Sequence, residues 1–171
     1  MRKVVAGFAI SLDGYIEGPK GEYDWITMDP DFDFDAHMKR FDAFFFGRTS
    51  YQKLKQAGSI KFPGTQNYIF SNSLEGVVEN CILVGGNIHD KVIEIKKQKG
   101  KEIAVYGGAT LLSSLLDHNL VDELTMTVMP IILGKGKSMV NDLKSSIRLI
   151  LIDTKKFSSG SVQLNYRVGE R

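Results

Sequence analysis

Apolar and polar positions follow two alternating patterns over the first two thirds of the chain. Short apolar runs, typical of buried strands, occur at 3–10, 43–47, 66–71, 80–86 and 102–108. Between several of them, apolar residues recur three or four positions apart, which predicts helices over 33–41, 48–58, 88–100 and from 109 to about 118. The glycine-rich segment 11–25 is predicted to be a loop. Alternation of strands and helices indicates a parallel sheet covered by helices.

The last third of the chain changes to three long strand-like runs, at 121–133, 146–157 and 161–168. In the last run, Val162, Leu164, Tyr166 and Val168 alternate with polar residues, which is typical of a strand with one buried face. The sequence SSG at 158–160 predicts a hairpin. We therefore expect one α/β domain over residues 1–171, with a mixed, mostly parallel sheet, flanking helices and an antiparallel C-terminal hairpin.

Composition excludes several classes of function. The 22 basic and 20 acidic residues leave a net charge of +2 without a basic patch, so we expect no nucleic-acid partner. The apolar runs are too short for a membrane span, and the apolar start of the chain lacks a leader's cleavage site. The single cysteine, Cys81, cannot form an internal disulfide and fits a cytoplasmic protein. His37, His89 and His118 lie far apart, so we expect no metal site.

Three strand ends carry the candidate chemistry. Glycine lets a ligand approach the backbone, a helix start offers N–H groups to an anion, and a guanidinium suits phosphate. Because parallel strands end at one edge of a sheet, the three junctions should face one crevice. Any one of them is compatible with an ordinary turn, but together they indicate an extended ligand with several phosphates. The residues are Gly47, Arg48 and Thr49; Ser71, Asn72 and Ser73; and Gly107 to Thr110.

The order of these motifs resembles the dihydrofolate reductase-like fold, and most closely the reductase domain of the bifunctional riboflavin-pathway deaminase–reductase. The matching segments are SLDGYI, FFFGRTSY, VYGGATLLSSLL and LVDELTMTVMPIILGKG, in the family's order over nearly the whole chain. The Rossmann motif GxGxxG is absent after the first strand, and there is no room for a deaminase half. The resemblance implies a homodimeric NADPH-dependent reductase that transfers a hydride to a small heterocyclic or sugar-derived substrate, as 5-amino-6-(5-phosphoribosylamino)uracil reductase does in riboflavin biosynthesis.

The resemblance also implies site residues on both sides of the reaction. The cofactor residues would be Gly7 and Ile16 beside the nicotinamide; Gly47, Arg48 and Thr49 on the pyrophosphate and adenosine side; Ser71 and Asn72 at the 2′-phosphate; and Gly107, Gly108, Ala109, Thr110 and Leu111 as a second pyrophosphate cradle. The substrate side would hold Ser11, Asp13, Trp25 and Gly134. No acidic residue ends the strand at 66–71, which favours NADPH over NADH. The sequence assigns no single catalytic residue.

Two alternative functions stay open. A pterin or dihydrofolate reductase would need a carboxylate in its pocket, and Asp29, Asp31, Asp33 and Asp35 are the candidates. A non-catalytic, dimeric nucleotide-binding module would keep the glycine junctions but fill the substrate half with side chains. The late strands are apolar on both faces, which independently favours a dimer.

Overall fold

A computed structural model describes residues 1–58 and 64–169. In chain order, its elements are β1 (Val4–Ser11), β2 (Tyr15–Glu17), α1 (Phe34–Met38), β3 (Phe41–Gly47), α2 (Arg48–Gln56), β4 (Gln66–Phe70), β5 (Cys81–Val84), α3 (Ile88–Lys97), β6 (Glu102–Gly107), α4 (Ala109–Asp117), β7 (Glu123–Met129), β8 (Lys137–Ser138), β9 (Leu149–Lys156) and β10 (Val162–Val168). Strands and helices alternate up to β7, as the hydrophobic pattern predicts.

The central sheet has eight strands in the order β5-β4-β3-β6-β1-β7-β10-β9. Neighbouring strands from β5 to β7 are parallel, whereas β10 is antiparallel to both β7 and β9. A separate two-stranded sheet pairs β2 with β8. The mixed, mostly parallel sheet and the antiparallel C-terminal hairpin that the sequence predicts are confirmed.

Helices cover both faces of the sheet, and β3 shows why residues 43–47 are apolar throughout. Ala43 and Phe45 point into the core on the α3 and α4 side, together with Val92 and Leu112. Phe44, on the opposite face, belongs to the second core cluster, which includes residues of α2. A strand buried on both faces needs apolar residues at successive positions.

Several segments differ from their predicted bounds, and a reason is clear for two of them. The strand predicted at 121–133 ends at Met129, because Pro130 has no N–H to continue a ladder. The loop predicted at 11–25 is wrong over Tyr15–Glu17, which form β2 by pairing with the distant β8. The helix predicted at 33–41 is limited to Phe34–Met38.

Candidate functional site

A cavity of about 610 Å³ lies at the carboxyl ends of four neighbouring parallel strands. Gly47 ends β3, Phe70 ends β4 and Val84 ends β5, and all three line it, as does Gly108 just beyond β6. The ends of β3 and β6 are in close contact, since a Cβ on Gly47 would stand 3.7 Å from the backbone nitrogen of Gly108. The three junctions expected to face one crevice line this one cavity, which we call the large cavity.

Most of the predicted cofactor residues line the large cavity, and three do not. The residues that do are Gly47, Arg48, Thr49, Ser71, Asn72, Gly108, Ala109, Thr110 and Leu111. Gly107 directly precedes this set; it has a φ of +127°, and its peptide bond to Gly108 is cis. Gly7 lines a second, smaller cavity, and Ile16 lies on β2 and lines neither. A contact of these three with a cofactor remains a prediction.

Helices α2 and α4 both begin at the large cavity without a side-chain cap. Their N-cap residues are Gly47 and Gly108, and neither has a side chain that could bond to the first-turn N–H groups. By contrast, Asp33 caps α1 and Asn87 caps α3 through side-chain oxygens. Uncapped first-turn N–H groups, at the positive end of the helix dipole, are suited to an anion. The large cavity is therefore lined by two uncapped helix starts on adjoining strand ends.

The side chains of the large cavity also favour an anion. Arg48 and Lys137 line it, and no carboxylate does among the residues that the structure describes. Lys137 comes from β8, and its Nζ lies 3.7 Å from the place where a Cβ on Gly108 would stand. The same Nζ lies 3.8 Å from Glu17 Oε1, which holds the ammonium near the start of α4. Sequence reasoning did not find Lys137.

The segment after β4 adds a cluster of hydroxyl groups beside Arg48. Arg48 Nη1 donates to Ser73 Oγ at 2.8 Å, and Ser71 Oγ accepts from the Ser73 backbone nitrogen at 3.2 Å. Asn72 Oδ1 accepts from the Gly86 nitrogen at 2.8 Å, so this side chain joins the loops after β4 and β5. A forked cation and two exposed hydroxyls within hydrogen-bonding range suit a phosphate monoester at this end of the cavity.

The smaller cavity, of about 260 Å³, lies on the face of the sheet that α1 covers. Its floor comes from β1, β6, β7 and β10, and its walls are aromatic side chains of and around α1. Gly7 is exposed although β1 is an interior strand, and a Cβ built on it would meet no atom within 4 Å. The space above the sheet at this point is therefore open.

None of the predicted substrate residues lines either cavity. Ser11 Oγ accepts from the Tyr15 nitrogen at 2.9 Å, and Trp25 Nε1 donates to the Glu22 carbonyl at 3.3 Å. The Asp13 carboxylate accepts from the nitrogens of Leu133 and Gly134, at 3.1 and 2.7 Å. These bonds hold the turn after β1 against the loop after β7. A substrate contact for Ser11, Asp13, Trp25 and Gly134 remains a prediction.

The four candidate carboxylates, Asp29, Asp31, Asp33 and Asp35, lie outside both cavities. Asp29 is buried and accepts from the nitrogens of Asp31 and Ser159 at 2.8 Å each, which ties it to the β9–β10 turn. Asp33 caps α1, and Asp31 and Asp35 are exposed. The titratable group that does line the small cavity from this segment is His37, and burial lowers its pKa, with Arg40 as a second cause.

The described residues contain neither a membrane-spanning helix nor a metal cluster. In 1–58 and 64–169, every helix is too short or too polar to cross a bilayer. Over the same ranges, no three His, Cys, Asp or Glu side chains are placed to share a metal ion. His89 Nδ1 lies 3.1 Å from Asp90 Oδ1, and His118 Nδ1 lies 2.7 Å from the Ser114 carbonyl, so both rings have local partners.

A comparison with models of protein families identifies the family of this chain. The model described as the RibD C-terminal domain matches residues 2–163. The protein belongs to the RibD C-terminal domain family. YyaP of Bacillus subtilis (strain 168) is 35% identical over 96% of this chain and 94% of its own length. The family resemblance drawn from the motifs is confirmed.

Solved structures similar to this RibD C-terminal domain agree on the fold. A putative riboflavin biosynthesis protein from Shewanella sp. PV-4 has a TM-score of 0.87 at 24% identity, over 98% of this chain and 99% of that one. The diaminohydroxyphosphoribosylaminopyrimidine deaminase/5-amino-6-(5-phosphoribosylamino)uracil reductase of Thermotoga maritima has a TM-score of 0.72 at 20% identity, over 98% of this chain and 57% of that one. Dihydrofolate reductase from Enterococcus faecalis, complexed with NADP(H), has a TM-score of 0.68 at 12% identity, over 98% and 97%. The dihydrofolate reductase-like fold predicted from the sequence is confirmed.

Proposed function

We propose that this protein is an NADPH-dependent reductase, formed by one domain over residues 1–171, that reduces a small heterocyclic substrate. One observation carries the proposal: the uncapped starts of α2 and α4 meet Arg48 and Lys137 in one cavity, which no described carboxylate lines. Its volume of about 610 Å³ suits an extended ligand, since ligand pockets commonly measure roughly 300–1,000 Å³. Donors of this kind fit the phosphates of a dinucleotide.

Each part of the large cavity would bind a different part of the cofactor. The first-turn N–H groups of α2 and α4 would hold the pyrophosphate, and the glycine N-caps would let it approach the backbone. Arg48, Ser71 and Ser73 would hold the 2′-phosphate, since they form the exposed polar cluster after β4. Lys137 would add a charge near the start of α4.

The end of β6 brings the two cavities together. Tyr106 lines the small cavity and Gly108 lines the large one, with a single residue between them. When bound, a reduced nicotinamide supplies a hydride to the carbon of a C=N or C=O bond, whose nitrogen or oxygen takes a proton from solvent. The protein's contribution is to hold a substrate in the small cavity beside that donor and to position the two reacting carbons.

Family and cavity chemistry together favour this function over its two rivals. The Thermotoga maritima neighbour is a 5-amino-6-(5-phosphoribosylamino)uracil reductase, which supports a nitrogen heterocycle as the substrate class here. A pterin reductase would need one of the carboxylates from Asp29 to Asp35, and each of these lies outside the small cavity. A non-catalytic module would have its substrate half filled, whereas the space above Gly7 is open.

We further propose that the protein acts as a homodimer. Strand β9 is the edge of the sheet, and every one of its residues is exposed, including the apolar run Leu149, Ile150, Leu151 and Ile152. An apolar edge strand that stays exposed next to residues 1–58 and 64–169 is suited to a second copy. The free thiol of Cys81 fits the reducing cytoplasm as the place of action.

Calorimetric titration with NADPH and NADH, followed by a turnover screen, tests the proposed function. NADPH should bind, and NADH should bind more weakly because it lacks the phosphate that Arg48 would contact. A screen of pterins, pyrimidines and small aldehydes for loss of reduced-cofactor absorbance should then find a substrate among the heterocycles. If neither cofactor binds, the reductase proposal is wrong. If cofactor binds but no member of any class is turned over, the non-catalytic module is favoured.

A further inference from the structure

We propose that the small cavity binds a flat, uncharged aromatic ring system, recognised by its faces and by neutral hydrogen bonds and not by a phosphate or another ionic group. The proposal names the substrate class of the proposed reductase. It depends on the proposed function only for the statement that the bound ring is the substrate. Binding of the ring itself is independent of that role.

Aromatic side chains form the wall of the small cavity as a connected series. The rings of Phe32 and His37 have centroids 5.3 Å apart, and those of His37 and Phe41 are also 5.3 Å apart. Phe41 then contacts Phe44 at 6.2 Å, and all four rings line the cavity. Such a wall offers stacked and edge-to-face contacts to a planar ring.

The cavity leaves apolar surface open on both sides of the space that a ring would fill. On the floor, Gly7 interrupts an interior strand that would otherwise favour a branched side chain, and the space over it is empty of protein atoms within 4 Å. At the mouth, Met28 and Phe34 are 65% and 46% exposed although both line the cavity. A flat ligand over Gly7 would cover these side chains.

Neutral hydrogen-bonding groups stand on the floor at alternate positions of β7 and on β10. Thr125, Thr127 and Gln163 point into the cavity from the same face of the sheet. Thr125 Oγ1 donates to Asn165 Oδ1 at 2.9 Å, which fixes that hydroxyl with its lone pairs available. Hydroxyl and amide groups provide both donors and acceptors for the ring nitrogens and carbonyls of a heterocycle.

No lysine, arginine, aspartate or glutamate lines the small cavity among the described residues. Two nearby cations have partners outside the lining: Arg40 pairs with Glu102 at 2.8 Å, and Lys155 donates to the Asp31 carbonyl at 3.2 Å. Arg40 also lies 5.5 Å from the ring centroid of Phe41, but it does not line the cavity. Burial lowers the pKa of His37, which favours the uncharged form of this wall residue. A phosphate or a charged ring placed here would lose its water without gaining an ionic partner.

The volume sets the size of the ring system. At about 260 Å³ the small cavity falls just below the roughly 300–1,000 Å³ of ordinary ligand pockets. A mono- or bicyclic ring fits that space better than a ring with a long substituent. A phosphoribosyl tail, as on the substrate named for the Thermotoga maritima neighbour, would have to extend outside it.

Calorimetric titration with one ring in three charge states tests the proposal without cofactor. The probes are quinazolin-4-one, which is neutral, its 6-carboxylate, which is anionic, and 2,4-diaminoquinazoline at a pH that protonates it. The neutral ring should bind at least about tenfold more tightly than either charged one. Uridine 5′-monophosphate should bind no more tightly than uridine. Tighter binding of an anionic ring or of the monophosphate would overturn the proposal, as would no binding by any of these rings.

Three variants test where the ring binds and what sets its charge preference. Gly7→Val fills the open space on the floor and should abolish binding of the neutral ring. Gln163→Glu keeps the shape but adds a carboxylate, and should shift preference toward the diaminoquinazoline by about tenfold or more. Gln52→Glu makes the same chemical change on an exposed position of α2 and should leave the preference unchanged. If Gln163→Glu behaves like Gln52→Glu, the ring does not occupy this cavity.

NADPH titration of the same proteins separates this proposal from the proposed function. Ring selectivity without NADPH binding would leave the aromatic site standing and refute the reductase. NADPH binding together with a preference for charged rings would leave the reductase standing and refute the site for an uncharged ring.

Discussion

Gly47 and Gly108 hold the same position in two different helices, and they lie side by side. Each is an N-cap without a side chain, and the backbone nitrogen of Gly108 lies 3.7 Å from the place where a Cβ on Gly47 would stand. The starts of α2 and α4 thus adjoin at the ends of β3 and β6. This relationship makes the pair of glycines the most direct place to test for a bound pyrophosphate.

Replacing Gly108 with valine should weaken cofactor binding strongly and leave the fold in place. Gly108 has a φ of −101°, which any residue adopts, and a Cβ would lie 3.4 Å from Ser50 Oγ and 3.7 Å from Lys137 Nζ, both ends of side chains that can turn. The valine methyls would occupy the space over the first-turn N–H groups. Losing charged hydrogen bonds of about 1.5–3 kcal/mol corresponds to roughly ten- to hundredfold weaker binding.

Calorimetric titration of NADPH checks this expectation, with circular dichroism to confirm folding. Gly76→Val is the matched control, because a Cβ there meets no atom within 4 Å and Gly76 lies away from the large cavity. Normal NADPH binding by Gly108→Val would make this junction an ordinary strand-to-helix turn.

The strand ends of the large cavity could be predicted because their signal is local. In FFFGRT and VYGGAT a buried run, a glycine and a helix start are consecutive, so the sequence carries the whole junction. Lys137 was missed because it reaches the cavity from β8, a two-residue strand defined only by its pairing with β2.

The small cavity was harder to find, because its floor is assembled from strands distant in sequence. Gly7, Thr125 and Gln163 come together only through the strand order β1-β7-β10. One signal was present: Thr125 and Thr127 place two hydroxyls on one face of an otherwise apolar run. The predicted substrate residues failed to reach a cavity because short polar loops satisfy their own groups first, as Asp13 does with Leu133 and Gly134.

Arg48 and Ser71 should together set the preference for NADPH over NADH. Arg48 Nη1 donates to Ser73 Oγ at 2.8 Å, and Ser71 Oγ lies 3.4 Å from that same oxygen. Arg48→Ala should weaken NADPH binding by roughly ten- to hundredfold, since it removes a charged donor. Arg48→Ala with Ser71→Ala should bring the two dissociation constants closer together.

Titration of both cofactors into each variant distinguishes the two positions that Arg48 could serve. NADH binding should change little if Arg48 contacts the 2′-phosphate. An equal loss for NADH and NADPH would instead assign Arg48 to the pyrophosphate that both share. Arg40→Ala is the control, because Arg40 pairs with Glu102 away from the large cavity.

Asp13 should contribute to stability in a pH-dependent way. The hydrogen bond with Ser11 lowers the pKa of the Asp13 carboxyl most, burial opposes it, and the N–H groups of Leu133 and Gly134 lower it further. A carboxyl whose pKa is lower in the folded state stabilises fully above its unfolded pKa, and this contribution is lost as the pH falls through the folded value. The loss should therefore begin near the ordinary value of 3.8 and continue below it.

Urea unfolding of Asp13→Asn across the acid range measures this contribution. The variant should lose less stability than the wild type as the pH falls below that value, and it should be less stable at neutral pH. Asp142→Asn, at an exposed loop position, should follow the wild type. Parallel pH curves for Asp13→Asn and the wild type would show that these hydrogen bonds do not stabilise the ionised carboxylate.

Strand β9 should mediate the homodimer, because its apolar residues are left exposed by the part of the chain that the structure describes. Leu151 and Ile152 are 53% and 54% exposed on this edge strand. Light scattering at micromolar concentration should give twice the 19.1 kDa chain mass.

Burying one such side chain stabilises an interface by about 1.5–3 kcal/mol, so Leu151→Lys or Ile152→Lys should shift the protein toward monomer. Ile132→Lys, at a residue 70% exposed outside any strand, should stay dimeric. A monomeric wild type would refute the dimer, and dimers of both β9 variants would place the interface elsewhere.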